Sequence, residues 1–253
     1  MDAILKRWAL AAAVGWACTG AAAADIKVLT AGAYKPVLLA LAPAFEQQTG
    51  HRLLLDNDTA GALQRRVAGG EAFDMLVVTP AVLAVLAQSG HVQPGAAQRV
   101  ARVAIGVAVK QGAPLPDIST VAAFQRALLT ARAVATIDPV AGGSSGIYLW
   151  KWFEQAGIAA QLKPRAVLVP GGLVAQRLLT GEADLAIHQI SEILAVPGVT
   201  LVGPIPAAIQ NHTDYAAAVS AASPHADAAR ALVAWLVGSQ ARAVLLEKGM
   251  EAP

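Results

Sequence analysis

Cysteine is almost absent from this chain, which excludes several kinds of chemistry at once. The 253 residues include a single cysteine, Cys18, close to the N-terminus. Beyond it the chain has no thiol, so it has no disulfide framework and no thiol nucleophile. The five histidines, at positions 51, 91, 188, 212 and 225, are scattered without the spacing of metal ligands. We therefore expect neither a bound metal nor a cofactor.

Charged residues are also scarce, and the two signs nearly balance. They make up 14% of the chain, with 19 basic and 17 acidic residues and a formal net charge of +2. No basic run is interleaved with aromatic residues, so a nucleic-acid partner is not expected. The lysine-bearing phosphate loop of nucleotide-binding proteins is missing, and so is the dinucleotide fingerprint after the first strand.

The N-terminal segment, residues 1–24, is predicted to be a cleaved signal peptide. Lys6 and Arg7 form a basic start, the stretch from Trp8 to Cys18 is apolar, and Ala21 to Ala24 offer a small-residue cleavage site. The apolar stretch is too short to cross about 30 Å of hydrocarbon, which argues against a membrane anchor. The mature protein is expected in the periplasm.

Strand-like and helix-like segments alternate along the rest of the chain, a pattern typical of α/β folds with parallel sheets. No linker separates the two halves, which predicts two lobes joined by crossing strands, with a ligand cleft between them. Lobe 1 is predicted to comprise residues 25–103 plus 203–253, and lobe 2 residues 104–202. A single long helix is expected over residues 226–247 at the C-terminus.

Several predicted strand-to-helix turns carry small or hydroxyl residues at the edge where open α/β sheets bind ligands. The most informative is Gly142 to Gly146, GGSSG, between a strand over 133–137 and a helix predicted over 147–156. Such a turn presents hydroxyls and free N–H groups at the positive end of a helix dipole, which favours a small anion. The candidate ligand-binding residues are Ala33, Tyr34, Thr59, Thr79, Ser144, Ser145, Gly146, His188 and Gln189.

Two of these residues are candidates for acid–base chemistry. His188 directly follows an apolar run, and Tyr34 lies in the first turn. In a receptor such groups would donate hydrogen bonds to a ligand carboxylate. In an enzyme His188 or Tyr34 would carry a proton. The residues alone leave both interpretations open.

The order of four motifs resembles the type 2 periplasmic solute-binding proteins, and within them the molybdate-binding proteins of ABC importers. The motifs are Ile26–Ala31, Phe45–Gly50, Phe73–Val78 and Gly181–Ile187. The resemblance implies a two-lobed fold that closes over a small anion and an ABC permease as partner. In that branch two serine-bearing turns hold the oxyanion, whereas the first turn here, Ala31–Tyr34, has no serine. This difference favours an organic carboxylate over molybdate.

Capture of a small organic anion by a monomeric receptor, for import, is therefore the main predicted function. The chain also resembles a side branch of the family that carries GGSSG and IHQISEI, and a periplasmic aconitate isomerase resembles the wider family. The alternative prediction is an isomerase that shifts the double bond of an unsaturated tricarboxylate. Both functions need the same anion clamp.

Overall fold

The computed structural model describes residues 23–93, 95 and 97–253. The predicted signal peptide lies outside these residues, apart from Ala23 and Ala24. The strands are β1 (Asp25–Ala31), β2 (Arg52–Asp58), β3 (Met75–Val78), β4 (Gln98–Lys110), β5 (Val134–Ile137), β6 (Ala166–Val169), β7 (Leu185–Gln189), β8 (Val199–Pro204), β9 (His212–Val219) and β10 (Met250–Glu251). The helices are α1 (Lys35–Thr49), α2 (Ala60–Ala68), α3 (Pro80–Gln88), α4 (Val121–Thr130), α5 (Ser144–Gln155), α6 (Ala159–Leu162), α7 (Gln176–Leu179), α8 (Ile190–Leu194), α9 (Ala226–Leu236) and α10 (Ser239–Glu247).

The strands follow one hydrogen-bonded path in the order β2-β1-β3-β9-β4-β7-β5-β6, and β8 and β10 also pair with β4. At one end of the path, β1 runs parallel to β2 and β3. At the other end, β5 runs parallel to β6 and β7. The strands between these trios, β9 and β4, run antiparallel to their neighbours. The predicted parallel sheets are confirmed, and antiparallel strands join them.

Strand β4 belongs to both lobes. Its first half, Gln98–Ala104, pairs with β9, whereas residues 105–110 pair with β7 and β8. The apolar cores divide at the same place. The residues of one core lie within 26–103 and 215–250, and those of the other two cores lie within 105–209. The expected two-lobed fold with crossing strands is thus observed. The exact lobe boundaries stay a prediction.

The structure corrects three predicted helices. The long C-terminal helix is broken, since Gly238 is extended between α9 and α10 and the two helices meet at a bend of 62°. Helix α5 begins at Ser144 rather than at residue 147, so both serines of GGSSG lie in its first turn. The sequence also predicts a helix over 173–180, but this stretch contains only the single turn α7, between the left-handed residues Gly172 and Gly181.

Among the described residues, no single helix is long and apolar enough to cross a membrane. The bent pair α9 and α10 together reach the necessary length and composition. Both of these helices bury residues in the core of lobe 1, including Leu232, Leu236 and Leu245.

Candidate functional site

A small cavity lies between the lobes, at the carboxyl ends of β1, β2, β5 and β7. Its volume is about 30 Å³, enough for about two water molecules. This is the edge of the sheet at which the sequence predicts a ligand. Lobe 1 lines the cavity with Ala31, Gly32, Ala33, Asn57, Asp58, Thr59, Ala60 and Tyr215. Lobe 2 lines it with Ile137, Gly143, Ser144, Ser145, Gly172, His188, Gln189 and Glu192.

Three helices begin at this cavity. The 3-10 turn Gly32–Tyr34 leads into α1, Thr59 caps α2 by accepting from the Ala62 N–H, and Gly143 precedes α5. The N–H groups of a first helical turn have no partner within the helix, and the helix dipole makes that end positive. The cavity is therefore bordered by the positive ends of three helices, which favour anionic groups.

Beside the cavity, the two lobes contact each other mainly through backbone atoms. The Gly61 N–H donates to the Gly142 carbonyl at 3.1 Å, and the Thr59 hydroxyl donates to the Ala141 carbonyl. A Cβ atom on Gly61 would lie only 2.9 Å from the Gly142 Cα. This approach is possible only because neither position has a side chain. The described structure is thus one in which the lobes are closed.

A buried imidazole and a buried carboxyl group meet at the cavity. His188 Nε2 and Glu192 Oε2 are 3.2 Å apart, with side chains that are 3% and 8% exposed. Removal from water lowers the pKa of His188 to about 3 and raises the pKa of Glu192 to about 8. Burial favours the neutral form of each group, so we expect the pair to be uncharged at neutral pH.

Gln189 joins hydroxyl groups that come from both lobes. Its Nε2 donates to Thr213 Oγ1 at 2.8 Å and to Ser144 Oγ at 3.1 Å. Thr213 in turn donates to Ser144 Oγ at 3.3 Å. Ser144 thus accepts two hydrogen bonds and has its own hydrogen left to donate, either to the neighbouring Tyr215 or to a ligand.

The stretch Gly142–Gly146 fits the Gly-x-Ser-x-Gly pattern between a strand and a helix, which in hydrolases places a nucleophilic serine. Here the hydrogen-bond partners of Ser144 are Gln189 and Thr213. No described hydrogen bond links Ser144 to His188, so the serine lacks the adjacent base that would activate it. Within the described part of the chain, no group of three or more His, Cys, Asp or Glu side chains is arranged to hold a metal.

Six of the nine candidate ligand-binding residues line the cavity, and the other three do not. The six are Ala33, Thr59, Ser144, Ser145, His188 and Gln189. The other three, Tyr34, Thr79 and Gly146, are not among the residues that line it.

Each of the three has a local reason for its position. The Tyr34 ring is fully buried in the core of lobe 1. Thr79 precedes α3 without lining the cavity. Gly146 is packed against β5, where a Cβ atom would lie 2.4 Å from the Ile137 carbonyl oxygen.

Ten of the sixteen cavity residues were not among the candidates, and two of these, Glu192 and Tyr215, lie outside the predicted strand-to-helix turns. Glu192 follows His188 by four residues, a spacing visible in IHQISEI, but the one-turn helix α8 that carries it has too little periodicity to predict. Tyr215 lies on β9, is 3% exposed and lines the cavity near Ser144. Burial raises the pKa of its phenol. Tyr215 therefore has the place in the cavity that was expected for Tyr34.

Comparison with known proteins agrees with this architecture. The chain is similar to aconitate isomerase from a Pseudomonas species, with 33% identity over 232 residues, or 89% of this chain and 87% of that protein. Among solved structures it is similar to the periplasmic molybdate-binding protein of Azotobacter vinelandii, with 20% identity and a TM-score of 0.76 over 90% of this chain and 99% of that one. The sulfate-binding protein of Mycobacterium tuberculosis gives 20% identity and a TM-score of 0.74, over 90% and 87% of the respective chains.

A family model described as bacterial extracellular solute-binding protein matches residues 26–251. This match takes in both lobes, the crossing strand and every residue that lines the cavity. The chain therefore belongs to the bacterial extracellular solute-binding proteins.

Proposed function

We propose that this protein is an isomerase of a small unsaturated polycarboxylate, with cis- and trans-aconitate as the first substrates to test. The observation that carries the proposal is the buried pair of His188 and Glu192 in a cavity otherwise built for anions. The raised pKa of Glu192 brings its loss and gain of a proton close to neutral pH, which suits a group that transfers a proton. An enzyme that moves a proton needs such a group.

In this proposal, the carboxylates of the substrate are bound by the N-terminal ends of the three helices and by the hydroxyl groups found there. A tricarboxylate presents three negative groups, and three helices begin at the cavity, although in α2 the Gly61 and Ala62 N–H groups already have partners. Ser144 and Ser145 add hydroxyl donors at the start of α5. The similarity to aconitate isomerase supports this assignment of a polycarboxylate.

The proposed reaction is a proton shift along three carbons. Aconitate has a CH₂ group between a carboxylate and its double bond, so loss of one of these protons leaves a carbanion shared by both ends of the three-carbon unit. Return of the proton to the far end moves the double bond by one position. One C–H bond breaks and one forms, and no oxidant or reductant is required. Both end carbons carry a carboxylate, so the product is again an aconitate, cis or trans according to its conformation.

Glu192 is proposed as the proton carrier. Its charged form, the minor one at neutral pH, accepts the proton and becomes neutral, and the raised pKa makes that form a stronger base than an ordinary carboxylate. His188 holds one oxygen of this carboxyl group in place. Glu192 then returns the same proton to the other carbon.

Opening and closing of the lobes is part of the proposal. A cavity of about 30 Å³ is too small to admit a tricarboxylate, so the lobes must separate for substrate to enter and product to leave. Closure excludes water, which keeps the abstracted proton on Glu192 instead of exchanging it with solvent.

Capture of a small anion for an ABC importer is the second candidate function. Its support is the fold, which resembles periplasmic binding proteins for molybdate and sulfate. It requires a permease partner and predicts binding without turnover. In either case we propose that the protein works in the periplasm, in keeping with its family and with the predicted signal peptide.

The direct test is to incubate the mature protein separately with cis- and trans-aconitate and to follow both isomers by chromatography. We expect each isomer to approach the same equilibrium mixture. Tight binding of aconitate without interconversion would contradict the isomerase and favour the receptor.

A further inference from the structure

Helix α8, which carries Glu192, is fixed between the two lobes. Ile190 packs against the core of lobe 1, whereas Ile193 lies in a core of lobe 2. Between them, the Ser191 hydroxyl donates to the Ala33 carbonyl of lobe 1 at 2.8 Å, and Ser191 is only 1% exposed. These contacts press the start of α8 against the 3-10 turn Gly32–Tyr34.

The carboxyl group of Glu192 lies against the backbone of Gly32 in that turn. A Cβ atom on Gly32 would be 2.5 Å from Glu192 Oε1 and 3.5 Å from its carboxyl carbon. The third closest atom, Asn57 Nδ2, is 3.9 Å away, which is an ordinary contact. The space that a side chain at position 32 would occupy is therefore filled by one group only, the Glu192 carboxyl.

Backbone conformation does not explain the glycine at this position. Gly32 is not among the glycines with positive φ, so an L-residue could adopt its conformation without strain. The steric requirement comes from Glu192, whose other carboxyl oxygen meets His188. A side chain at position 32 would thus push the carboxyl away from the imidazole while leaving the turn itself intact.

We infer that Gly32 is a positioning residue, whose missing side chain sets the place of the Glu192 carboxyl beside His188. The inference rests on the proposed isomerase for its effect on turnover, because Glu192 is the proton carrier there. Gly32 itself touches no reacting atom in this account. Its contribution is the space that keeps Glu192 at hydrogen-bonding distance from His188.

The test is Gly32→Ala, read out by kcat and KM with aconitate. The displaced group is the end of a flexible side chain, so the variant should fold with a Tm near that of the wild type. A misplaced proton carrier should lower kcat roughly 10²-fold, with KM changed only a few-fold. Gly171→Ala is the matched control, since its Cβ would meet nothing closer than Asp58 Oδ1 at 3.9 Å. We expect this control to keep the wild-type kcat.

A rescue variant separates a local clash from general damage. In Gly32→Ala/Glu192→Asp the carboxyl is withdrawn by one methylene, which makes room for the new methyl group. The two substitutions should therefore be non-additive, with the double variant losing less kcat than the product of the single losses. Purely multiplicative losses would overturn the inference, because they would show that the two positions act independently.

A second readout does not depend on turnover. The ¹⁵N NMR shifts of the His188 imidazole report its contact with Glu192 in the protein without substrate. We expect Gly32→Ala to move these shifts in the same direction as Glu192→Gln, and Gly171→Ala to leave them unchanged. Wild-type shifts in Gly32→Ala would overturn the inference. If the wild type does not convert aconitate, the proposed function fails, and these shifts still decide whether Gly32 positions Glu192.

Discussion

His188 Nε2 lies 3.2 Å from Glu192 Oε2, although the two residues belong to different elements. His188 is the next-to-last residue of the buried strand β7, and Glu192 lies in α8, which begins directly after that strand. The abrupt change from strand to helix turns the chain back so that residues four apart face the same cavity. In the proposed isomerase, this local geometry adds a pair of proton-exchanging groups to a cleft that binds an anion.

A substitution at Ser145 tests anion binding and leaves both His188 and Glu192 unchanged. It is 2% exposed and lines the cavity in the first turn of α5. Ser145→Ala should weaken binding of a carboxylate ligand by roughly 1–3 kcal/mol, because a charged acceptor loses a donor inside a buried site. Isothermal titration calorimetry with trans-aconitate measures this loss, and Ser119→Ala, on an exposed loop, is the control. Unchanged affinity in Ser145→Ala would mean that this hydroxyl does not contact the ligand.

Gly61 tests closure of the lobes. Gly61→Ala should hold the lobes apart, because its Cβ would lie 2.9 Å from the Gly142 Cα on the opposite lobe. The same change removes a glycine from helix α2, which favours the helix by up to about 1 kcal/mol, so a loss of stability is not expected. Small-angle X-ray scattering should show less compaction on adding ligand than in the wild type, and kcat should fall. Full compaction would show that the glycine contact is dispensable.

The buried pair also predicts how stability depends on pH. Between pH 6.5 and about 8, folded Glu192 keeps a proton that the unfolded chain, with its ordinary pKa of 4.5, has lost. The free energy of unfolding should therefore fall as pH rises through this range. Between pH 4.5 and 6.5 the effect of Glu192 is opposed by that of His188. This histidine is protonated in the unfolded chain and neutral in the folded protein. Below 4.5 the His188 effect acts alone, so stability should fall as the pH is lowered further.

Urea denaturation of the wild type and of Glu192→Gln at pH 5.5 and 8 checks this dependence. The wild type should be less stable at pH 8 than at pH 5.5. The variant should lose that decline, since its amide does not titrate. Tyr215, which also lines this cavity, has a pKa raised above the range tested. An equal decline in stability in both proteins would show that it arises from groups other than Glu192.

The repeated strands and helices of lobe 1 were predictable because their periodicity is strong and glycines mark their ends. Helix α1 ends at Thr49 before Gly50, which is left-handed as a helix-ending glycine should be. The broken C-terminal helix was not predictable from periodicity, since α9 and α10 both bury apolar residues in the same core. Gly238 was the available signal for the break.

The parts of the site that depend on the backbone of a turn could be predicted from the sequence. The parts that depend on the direction of a side chain could not. The glycine and serine turn at Ser144 and the last two residues of β7, His188 and Gln189, all contribute to the cavity lining. The direction of Tyr34 depends on how its turn packs, and Tyr215 reaches the cavity only because the distant strand β9 returns beside β3. Glu192 reaches the cavity only because the chain reverses between β7 and α8. A reversal of this kind leaves no periodic pattern of apolar residues in the sequence.

The most direct test of the central claim compares aconitate turnover by the mature wild type and by Glu192→Gln. The account predicts that Glu192→Gln lowers kcat by about 10²–10⁴-fold, because the amide cannot accept the proton. Binding of trans-aconitate should be retained, since removing an acidic group does not weaken an anion clamp. Turnover by Glu192→Gln at the wild-type rate, with the same affinity, would contradict the assignment of Glu192 as the proton carrier.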